Sequence, residues 1–460
     1  MRGRLCAVLA ACTLSACALL HPLALRDFPA DFESPHSGQA NDPMPGFGGG
    51  GQGLGNTTPV IFIHGNTESA HFWLPARNYF LGQAWDRDAL WAFSYGRNDV
   101  RHFDSNDAAA ASIGRMVDAV TRYVSQRSGH EVRQVDIVAH SLGVTAVRQW
   151  MKQANAWHRV RSFVAIAGAN HGTWVARADA RGRNRASAFE LAPDSPWLQQ
   201  LNRGGETPGA TRYLALYDGT GRSDALFPAP LQHSPRLEAA TNLAFNLERN
   251  RHLNHRELAQ SPQALAAAVQ FLRDAPQALD QVPPTLAREG DQLRAEPASA
   301  RLACAVDGAY PNRSSALQHS VQLAPGVVTT CFALDARSGL SSPMRHFLAA
   351  SAPHRDAEIN LEASAPAGRY EWPLELTLKV SEPGAALVYT TNGMEPDAGS
   401  PLYQGPIAIA STLTLRALAI SADGRRSPGF QARYEIDTSL IDDRRSLQRQ
   451  LEGPASGAFE

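Results

Sequence analysis

A serine on a strand-to-helix turn is the residue best suited to carry out chemistry in this sequence. Ala139-His140-Ser141-Leu142-Gly143 follows an apolar run at 135–138 and precedes a segment with helical periodicity. A nucleophilic serine needs a sharp turn that exposes its hydroxyl, and small residues on either side let the strand and helix approach. The pattern predicts Ser141 as the nucleophile of a covalent hydrolytic mechanism. An ordinary polar serine in a connecting turn is the alternative.

An upstream turn has a composition that could stabilise an oxyanion. His64-Gly65-Asn66 ends an apolar run at 60–63. Acyl transfer through a tetrahedral intermediate needs two backbone N–H groups aimed at the developing negative charge. We assign these donors to Asn66 and Leu142, with a plain β-turn as the alternative. The histidines beside the turns are expected to be structural rather than to transfer protons: His64, His140 and His171.

Alternating apolar runs and helical patterns must position these turns. Strand-like runs occur at 60–63, 89–95, 135–138, 163–166 and 213–217. Helix-like segments occur at 108–126, 143–155 and 262–273. Strands that alternate with helices predict an α/β fold with a mostly parallel sheet and crossover helices. The tract 173–211 interrupts this alternation with aromatic residues and arginines, and we expect a lid or acyl-binding wall there.

The two turns together resemble those of the α/β-hydrolase superfamily. They are most similar to bacterial lipases with an Ala-x-Ser-x-Gly elbow and to extracellular polyhydroxyalkanoate depolymerases, over about residues 59–275. The resemblance implies an α/β-hydrolase fold and a serine carboxylic-ester hydrolase without a cofactor. Triglyceride-type lipids are the first expected substrates, and a polyester or short esters come next. We assign no metal site.

Two aspartates compete for the acid of the expected triad. In the α/β-hydrolase fold the chain order is Ser, Asp, His, and the acid follows a later strand. Asp218 lies at the end of the run 213–217, in an Asp-Gly turn. Asp224 is followed by apolar residues and Pro228, which resembles the hydrolase pattern. We favour Asp224 and keep Asp218 as the alternative.

The base should precede the last helix of the domain. His255 leads into the helical segment 262–273, as in the bacterial lipases that the elbow resembles. We therefore predict His255 as the base that accepts the Ser141 proton. His252 is the competing candidate, and both His252 and His233 also fit positions on the surface.

The N-terminus reads as an export signal. Arg2 and Arg4 precede an apolar segment at 5–14, which is too short to span a bilayer as a mature helix. It ends in Leu14-Ser15-Ala16-Cys17, which resembles a bacterial lipobox with Cys17 as the lipidated residue. An ordinary signal peptide cut after Ala16 is the alternative. We expect an exported protein, either an outer-membrane lipoprotein or a secreted one.

The sequence after the hydrolase-like part predicts β-strands rather than alternating strands and helices. Cys304 and Cys331 are the only cysteines beyond the N-terminal segment, and in an exported chain they predict one disulfide. Strand-like runs separated by tight turns follow at 374–380, 386–391 and 413–420 and predict an antiparallel β-sandwich. Tyr389-Thr390-Thr391-Asn392-Gly393 and Tyr403-Gln404-Gly405-Pro406-Ile407 resemble the immunoglobulin-like domain at the C-terminus of chitobiases.

These features divide the chain into six segments. They are a signal peptide at 1–16 with the lipobox at 14–17, a flexible linker at 17–58, an α/β-hydrolase domain at 59–278, a disulfide-stapled β-rich region at 285–357, an immunoglobulin-like domain at 358–436 and a polar tail at 437–460.

The balance of charge narrows the classes of partner. With 43 basic and 44 acidic residues, the net charge of −1 provides no basic field for nucleic acid. The expected partners are an ester or lipid substrate, a membrane through Cys17, and a polysaccharide or protein at the sandwich. The competing hypothesis is a non-catalytic pseudo-hydrolase that displays the sandwich as a surface binder.

Overall fold

The computed structural model describes residues 28–35, 45–51, 58–96, 105–179, 185–245, 254–278, 281–349 and 358–437. The predicted signal peptide, Cys17, His252 and most of the predicted tail therefore lie outside the described residues. Within these ranges, each helix is too short or too polar to cross a membrane.

The first domain is organised around one sheet, which has seven strands in the described residues. The strands are β1 Gly46–Phe47, β2 Val60–Ile63, β3 Leu90–Phe93, β4 Val135–His140, β5 Val160–Ile166, β6 Arg212–Asp218 and β7 Thr241–Phe245. Their order across the sheet is β1-β3-β2-β4-β5-β6-β7. Only β1 pairs antiparallel with its neighbour, and the other pairs are parallel. The carboxyl ends of β2, β4 and β6 therefore meet along the same edge, where the predicted site residues lie.

Helices cover both faces of this sheet. They are α1 Leu74–Gly82, α2 Asn106–Ser128, α3 Leu142–Gln153, α4 Trp174–Asp179, α5 Arg185–Leu191, α6 Pro196–Asn202, α7 His255–Gln260 and α8 Pro262–Arg273. Alternate residues of β2 face opposite sides: Ile61 packs in the core with α2 and α3, and Phe62 packs in the core with α1 and α8. Burial on both faces explains why the strand is apolar throughout. The expected α/β fold is confirmed.

The helical segment before residue 273 differs from the prediction. We expected His255 to lead directly into one final helix, but two helices occur there, and His255 begins the shorter one, α7. Ser261 ends α7 in an extended conformation because Pro262 follows it, and its side chain then caps α8.

The described parts of the predicted flexible linker are packed against the domain. Phe32 is buried in the core, where its ring lies 5.0 Å from that of Trp91. The strand at Gly46 pairs with Phe93, and a side chain at Gly46 would collide with the ring of Phe28. The prediction of a flexible linker is therefore wrong for 28–35 and 45–51. The glycines of this tract suggested flexibility, but Gly46 instead allows the ring of Phe28 to pack closely against the backbone.

A β-rich region follows the hydrolase domain. Its strands are β8 Thr285–Glu289, β9 Gln292–Glu296, β10 Arg301–Val306, β11 Leu317–Gln318, β12 Ser320–Gln322, β13 Thr329–Leu334 and β14 Arg345–Phe347. Strands β10 and β13 pair antiparallel with Cys304 opposite Cys331, and a disulfide joins these two residues.

The last domain is built from short strands around its own apolar core. The strands are β15 Leu361–Ala363, β16 Gly368–Tyr370, β17 Leu374–Leu376, β18 Leu378–Val380, β19 Ala386–Thr390, β20 Ile407–Ile409, β21 Leu413–Ile420 and β22 Phe430–Ile436. The pairing is antiparallel as predicted, except that β16 runs parallel to β22. The predicted run 374–380 is divided between β17 and β18, which pair with different neighbours.

The last domain contacts the hydrolase domain far from the predicted nucleophile. The backbone N–H of Thr391 donates to the side chain of Gln153, at 2.9 Å. Gln153 ends α3, which begins just after Ser141, so this contact lies about 18 Å along the helix from Ser141. A second contact joins the backbone N–H of Ala408 to Gln200 of α6, at 2.8 Å.

Candidate active site

Ser141 occupies a strained turn between β4 and α3. Its φ of 54° and ψ of −126° lie outside the regions that an ordinary side chain prefers. The turn is tight enough to require a glycine on its far side: a Cβ at Gly143 would lie 2.5 Å from the carbonyl oxygen of His64. Such strain concentrates at functional turns, because it aims the side chain out of the sheet.

The turn after β2 lies directly against Ser141. A Cβ at Gly65 would lie 2.8 Å from the Cβ of Ser141, so only glycine allows this approach. Asn66 follows Gly65, and its buried Oδ1 has no hydrogen-bond partner among the described residues. Leu142 begins α3, where the first N–H groups lack partners within the helix. Leu142, one predicted oxyanion donor, directly follows the nucleophile, and Asn66, the other, directly follows the glycine that approaches it.

The favoured acid and base are in contact. Nδ1 of His255 lies 2.9 Å and 3.1 Å from the two carboxylate oxygens of Asp224. The side chains of His255 and Asp224 are 12% and 2% exposed. Nε2 of His255 is buried and has no protein partner in the described part of the chain. With Nδ1–H donating to Asp224, the neutral imidazole presents Nε2 as a free acceptor, which a general base requires.

Burial favours the neutral form of His255. It lowers the pKa of this imidazole, and the nearby His140 lowers it further, although the hydrogen bond to Asp224 acts in the opposite direction. The net direction is downward, so His255 stays unprotonated and able to accept a proton at neutral pH.

Asp218, the alternative acid, is hydrogen-bonded to the loop that carries Asp224. Its Oδ1 accepts hydrogen bonds from the N–H and hydroxyl of Thr220, and its Oδ2 accepts from the N–H groups of Ser223 and Asp224. Asp218 thus holds the loop that carries Asp224. Among the other candidate bases, His252 lies outside the described residues, and His233 is exposed beside Tyr217.

The remaining histidines make structural contacts. His171 bridges Glu206, at 2.7 Å, and the carbonyl of Ser234, at 3.0 Å. Nδ1 of His64 donates to the carbonyl of Gly65, and its Nε2 accepts from the backbone N–H of Tyr95. These partners fix the rings in place, as an orienting role requires.

Glu68 is a buried residue of the site that the sequence analysis missed. Its side chain is 2% exposed and accepts hydrogen bonds from the N–H of Gly65, at 2.8 Å, and from Nδ1 of His140, at 3.0 Å. A buried carboxylate needs such donors. The only signal in the sequence was an acidic residue three positions after the glycine of the turn.

The tract after β5 borders the acid loop. It contains the short helices α4, α5 and α6, and Leu191 and Trp197 are buried in the core rather than exposed. Trp174, in contrast, is 47% exposed, and its Nε1–H donates to the carbonyl of Ala225, next to Asp224. The tract therefore presents an aromatic surface beside the predicted acid.

Metal ligands do not cluster in the described residues, where no group of three or more histidine, cysteine or acidic side chains could hold an ion.

Comparisons with known proteins agree with the motifs. Residues 57–219 match the family model of lipase (class 2), and residues 365–430 match that of the chitobiase/beta-hexosaminidase C-terminal domain. Both predicted resemblances are confirmed, and so is the expected enzyme class, a carboxylic ester hydrolase of the lipase type. The lipase match contains Asn66, Ser141 and Leu142 but ends before Asp224 and His255.

The solved structures that match parts of this chain include two lipases and a carboxylesterase. The mature form of a Bacillus licheniformis lipase shares 14% identity over 48% of this chain and 94% of its own, with a TM-score of 0.36. Lipase B of Aspergillus fumigatus shares 16% identity over 51% of this chain and 57% of its own, with a TM-score of 0.39. A carboxylesterase of Bacillus subtilis shares 14% identity over 49% of this chain and 86% of its own, with a TM-score of 0.31.

Proposed function

We propose that the protein hydrolyses carboxylic esters through a covalent acyl-enzyme on Ser141, with His255 as general base and then general acid. The observation that carries this proposal is the contact between Asp224 and Nδ1 of His255, which leaves Nε2 free to accept a proton. The ring of His255 packs on His140, the residue directly before the serine on the strained turn. Asp224 fixes the tautomer and orientation of the imidazole and stabilises the imidazolium that forms.

The reaction proceeds in two balanced steps. The Ser141 oxygen attacks the ester carbonyl while His255 accepts the hydroxyl proton, and the carbonyl oxygen becomes an oxyanion near the N–H groups of Asn66 and Leu142. Collapse of this intermediate breaks the ester C–O bond, and His255 returns the proton to the departing alcohol. Water then attacks the acyl-enzyme by the same path and releases the acid and the free serine.

Lipid-type esters are the substrate class that the surroundings support best. Trp174 exposes an aromatic ring beside the acid loop, and the tract around it supplies the expected acyl-binding wall. A panel of esters with increasing acyl length, tested on the purified protein, measures this preference. We expect a preference for longer acyl chains, and equal or higher activity on the shortest esters would contradict the lipid assignment.

Export and anchoring at Cys17 complete the proposal. A lipid-anchored hydrolase would act at the outer membrane, and the chitobiase-type domain would contact a polysaccharide or protein there. Triacylation supplies the several chains that stable anchoring requires. A Cys17→Ser protein should lose its membrane fractionation. Retention of that protein in the membrane fraction would contradict the anchor while leaving the hydrolase proposal intact.

A further inference from the structure

Two buried side chains beside the proposed base lack a role in the steps above. The side chains of Glu68 and His140 are 2% and 1% exposed, and they contact each other through Oε2 and Nδ1 at 3.0 Å. The other ring nitrogen of His140, Nε2, lies 3.0 Å from the backbone carbonyl oxygen of His255. His140 thus connects a carboxylate to the main chain of the proposed base.

The contacts of His140 fix both of its ring nitrogens. A backbone carbonyl only accepts hydrogen bonds, so Nε2–H donates to the carbonyl of His255. Glu68 is held as a carboxylate: burial raises its pKa, but His140 and the N–H of Gly65 outweigh burial and bring the pKa below its usual value. The ring of His140 is therefore held between a carboxylate and the main chain of the proposed base.

We propose that Glu68 and His140 form a buried pair that positions the backbone of His255 and the oxyanion turn. This inference rests on the proposed function of His255. Glu68 and His140 are positioning residues, because neither one touches the reacting atoms.

The pair connects three parts of the site. The same oxygen of Glu68 that faces His140 accepts from the N–H of Gly65, the residue before the oxyanion donor Asn66. His140 directly precedes Ser141 in the chain, and its carbonyl contact holds His255. One carboxylate therefore fixes the oxyanion turn, the elbow and the base relative to each other, which is the preorganisation that fast acyl transfer needs.

Ring packing fixes His140 against the base. The ring centroids of His140 and His255 are 4.6 Å apart, and the ring of Phe72 stacks on His140, at 5.0 Å. At this distance His140 contributes to the lowered pKa of His255. A buried carboxylate without partners would be costly, and Glu68 also forms an ion pair with Arg256, whose Nε lies 3.2 Å from Oε1.

The charged groups around His255 give the expected direction of a pH effect. Asp224 and Glu68 favour its protonated form and His140 opposes it, while Arg256 and Glu257 follow it on α7. Replacing His140 by glutamine removes the group that lowers the pKa of His255 and leaves Glu68, which raises it. Protonation of His255 is then favoured, so activity should be lost at a higher pH than in the wild type.

The first experiment measures kcat and KM against pH for a soluble ester with His140→Gln and Glu68→Gln. We expect kcat to fall about a hundredfold in each variant with little change in KM, because binding is retained and alignment is lost. For His140→Gln, the acidic limb of kcat/KM should move to higher pH by about one unit. His158→Gln, at a half-buried histidine just before β5, is the matched control and should leave kcat and its pH profile unchanged. Wild-type kinetics, or a fall in kcat without movement of the acidic limb, would overturn the proposal.

A second experiment is independent of turnover. In protein labelled with ¹⁵N-histidine, we expect a ring N–H signal that exchanges slowly with solvent and is lost in His140→Gln, because Nε2–H of this buried side chain donates to the carbonyl of His255. The signal should persist in Ser141→Ala, and its absence from the wild type would overturn the buried pair. An inactive wild type that retains the signal would contradict the proposed function and leave the pair standing.

Discussion

The carboxylate of Asp218 accepts a hydrogen bond from the backbone N–H of Asp224 at 3.0 Å, so one aspartate holds the other in place. The two candidates for the catalytic acid are thus parts of one loop, in which Asp224 contacts His255 and Asp218 supports the backbone.

Asp218→Asn and Asp224→Asn should therefore both lower activity, but by different amounts. Asp224→Asn removes the charge that selects the tautomer of His255, and kcat should fall by about 10⁴. Asp218→Asn turns an amide N–H₂ toward the N–H groups of Ser223 and Asp224, which displaces the acid, and kcat should fall by about 10–100-fold. Ester hydrolysis by both variants, with circular dichroism to confirm folding, measures the difference. A larger loss in Asp218→Asn would reverse the two assignments.

Trp174 should matter more for lipid substrates than for small esters. Its ring is 47% exposed, and burying such a side chain against an acyl chain is worth about 1.5–3 kcal/mol. Trp174→Ala should therefore weaken hydrolysis of a long-chain ester by about 10–100-fold relative to a short one. Trp174→Phe keeps an aromatic ring and should retain most of the preference. Met394→Ala, at an exposed apolar side chain of the last domain, is the matched control. Equal losses on both esters would contradict this role.

Removing the disulfide should weaken the fold without abolishing catalysis. Cys304 and Cys331 are separated by 27 positions, and closing a loop of this size stabilises a protein by about 3 kcal/mol in the chain-entropy model. The double variant Cys304→Ser/Cys331→Ser avoids a free thiol. Urea unfolding should report the loss, and ester hydrolysis below the transition should remain near wild type. Unchanged stability would show that the bridge contributes nothing.

A buried carboxyl pair should make stability depend on pH. Burial, together with the neighbouring Asp107, raises the pKa of Glu190 to about 8. The folded protein then holds a proton that the unfolded chain releases near pH 4.5, so stability should fall as the pH rises from about 4.5 to about 8. Glu190→Gln should flatten this decline in the melting temperature, and the exposed Glu131→Gln should not. A decline of the same size in Glu190→Gln would contradict the assignment.

The sequence predicted the parts of the fold that local patterns encode. Continuous apolar runs identified β2 and β4, because strands buried on both faces have few polar residues. Helix α8 has the predicted limits, with Pro262 at its first turn. In contrast, β7 was missed, because it is a largely exposed edge strand with an apolar run of only three residues, at 243–245.

Contacts between residues that lie far apart in the chain could not be predicted from the sequence. The elbow at Ser141 has a local signature, so it was found directly. Asp224 was preferred over Asp218 by a pattern, but only the fold shows that one contacts His255 and the other supports the loop. Glu68 gave little signal, because its partner His140 lies 72 positions away and joins it only when the parallel strands bring the turns together.

The central claim is that Ser141 is an activated nucleophile, and covalent labelling with a fluorophosphonate tests it most directly. The reagent reacts with a serine only when a base and an oxyanion site activate it. We predict one label per chain, mapped to the peptide that carries Ser141, and no label in Ser141→Ala, whose ester hydrolysis should fall by about 10⁶. An unlabelled Ser141 in a folded wild-type protein, or full hydrolysis by Ser141→Ala, would contradict the account.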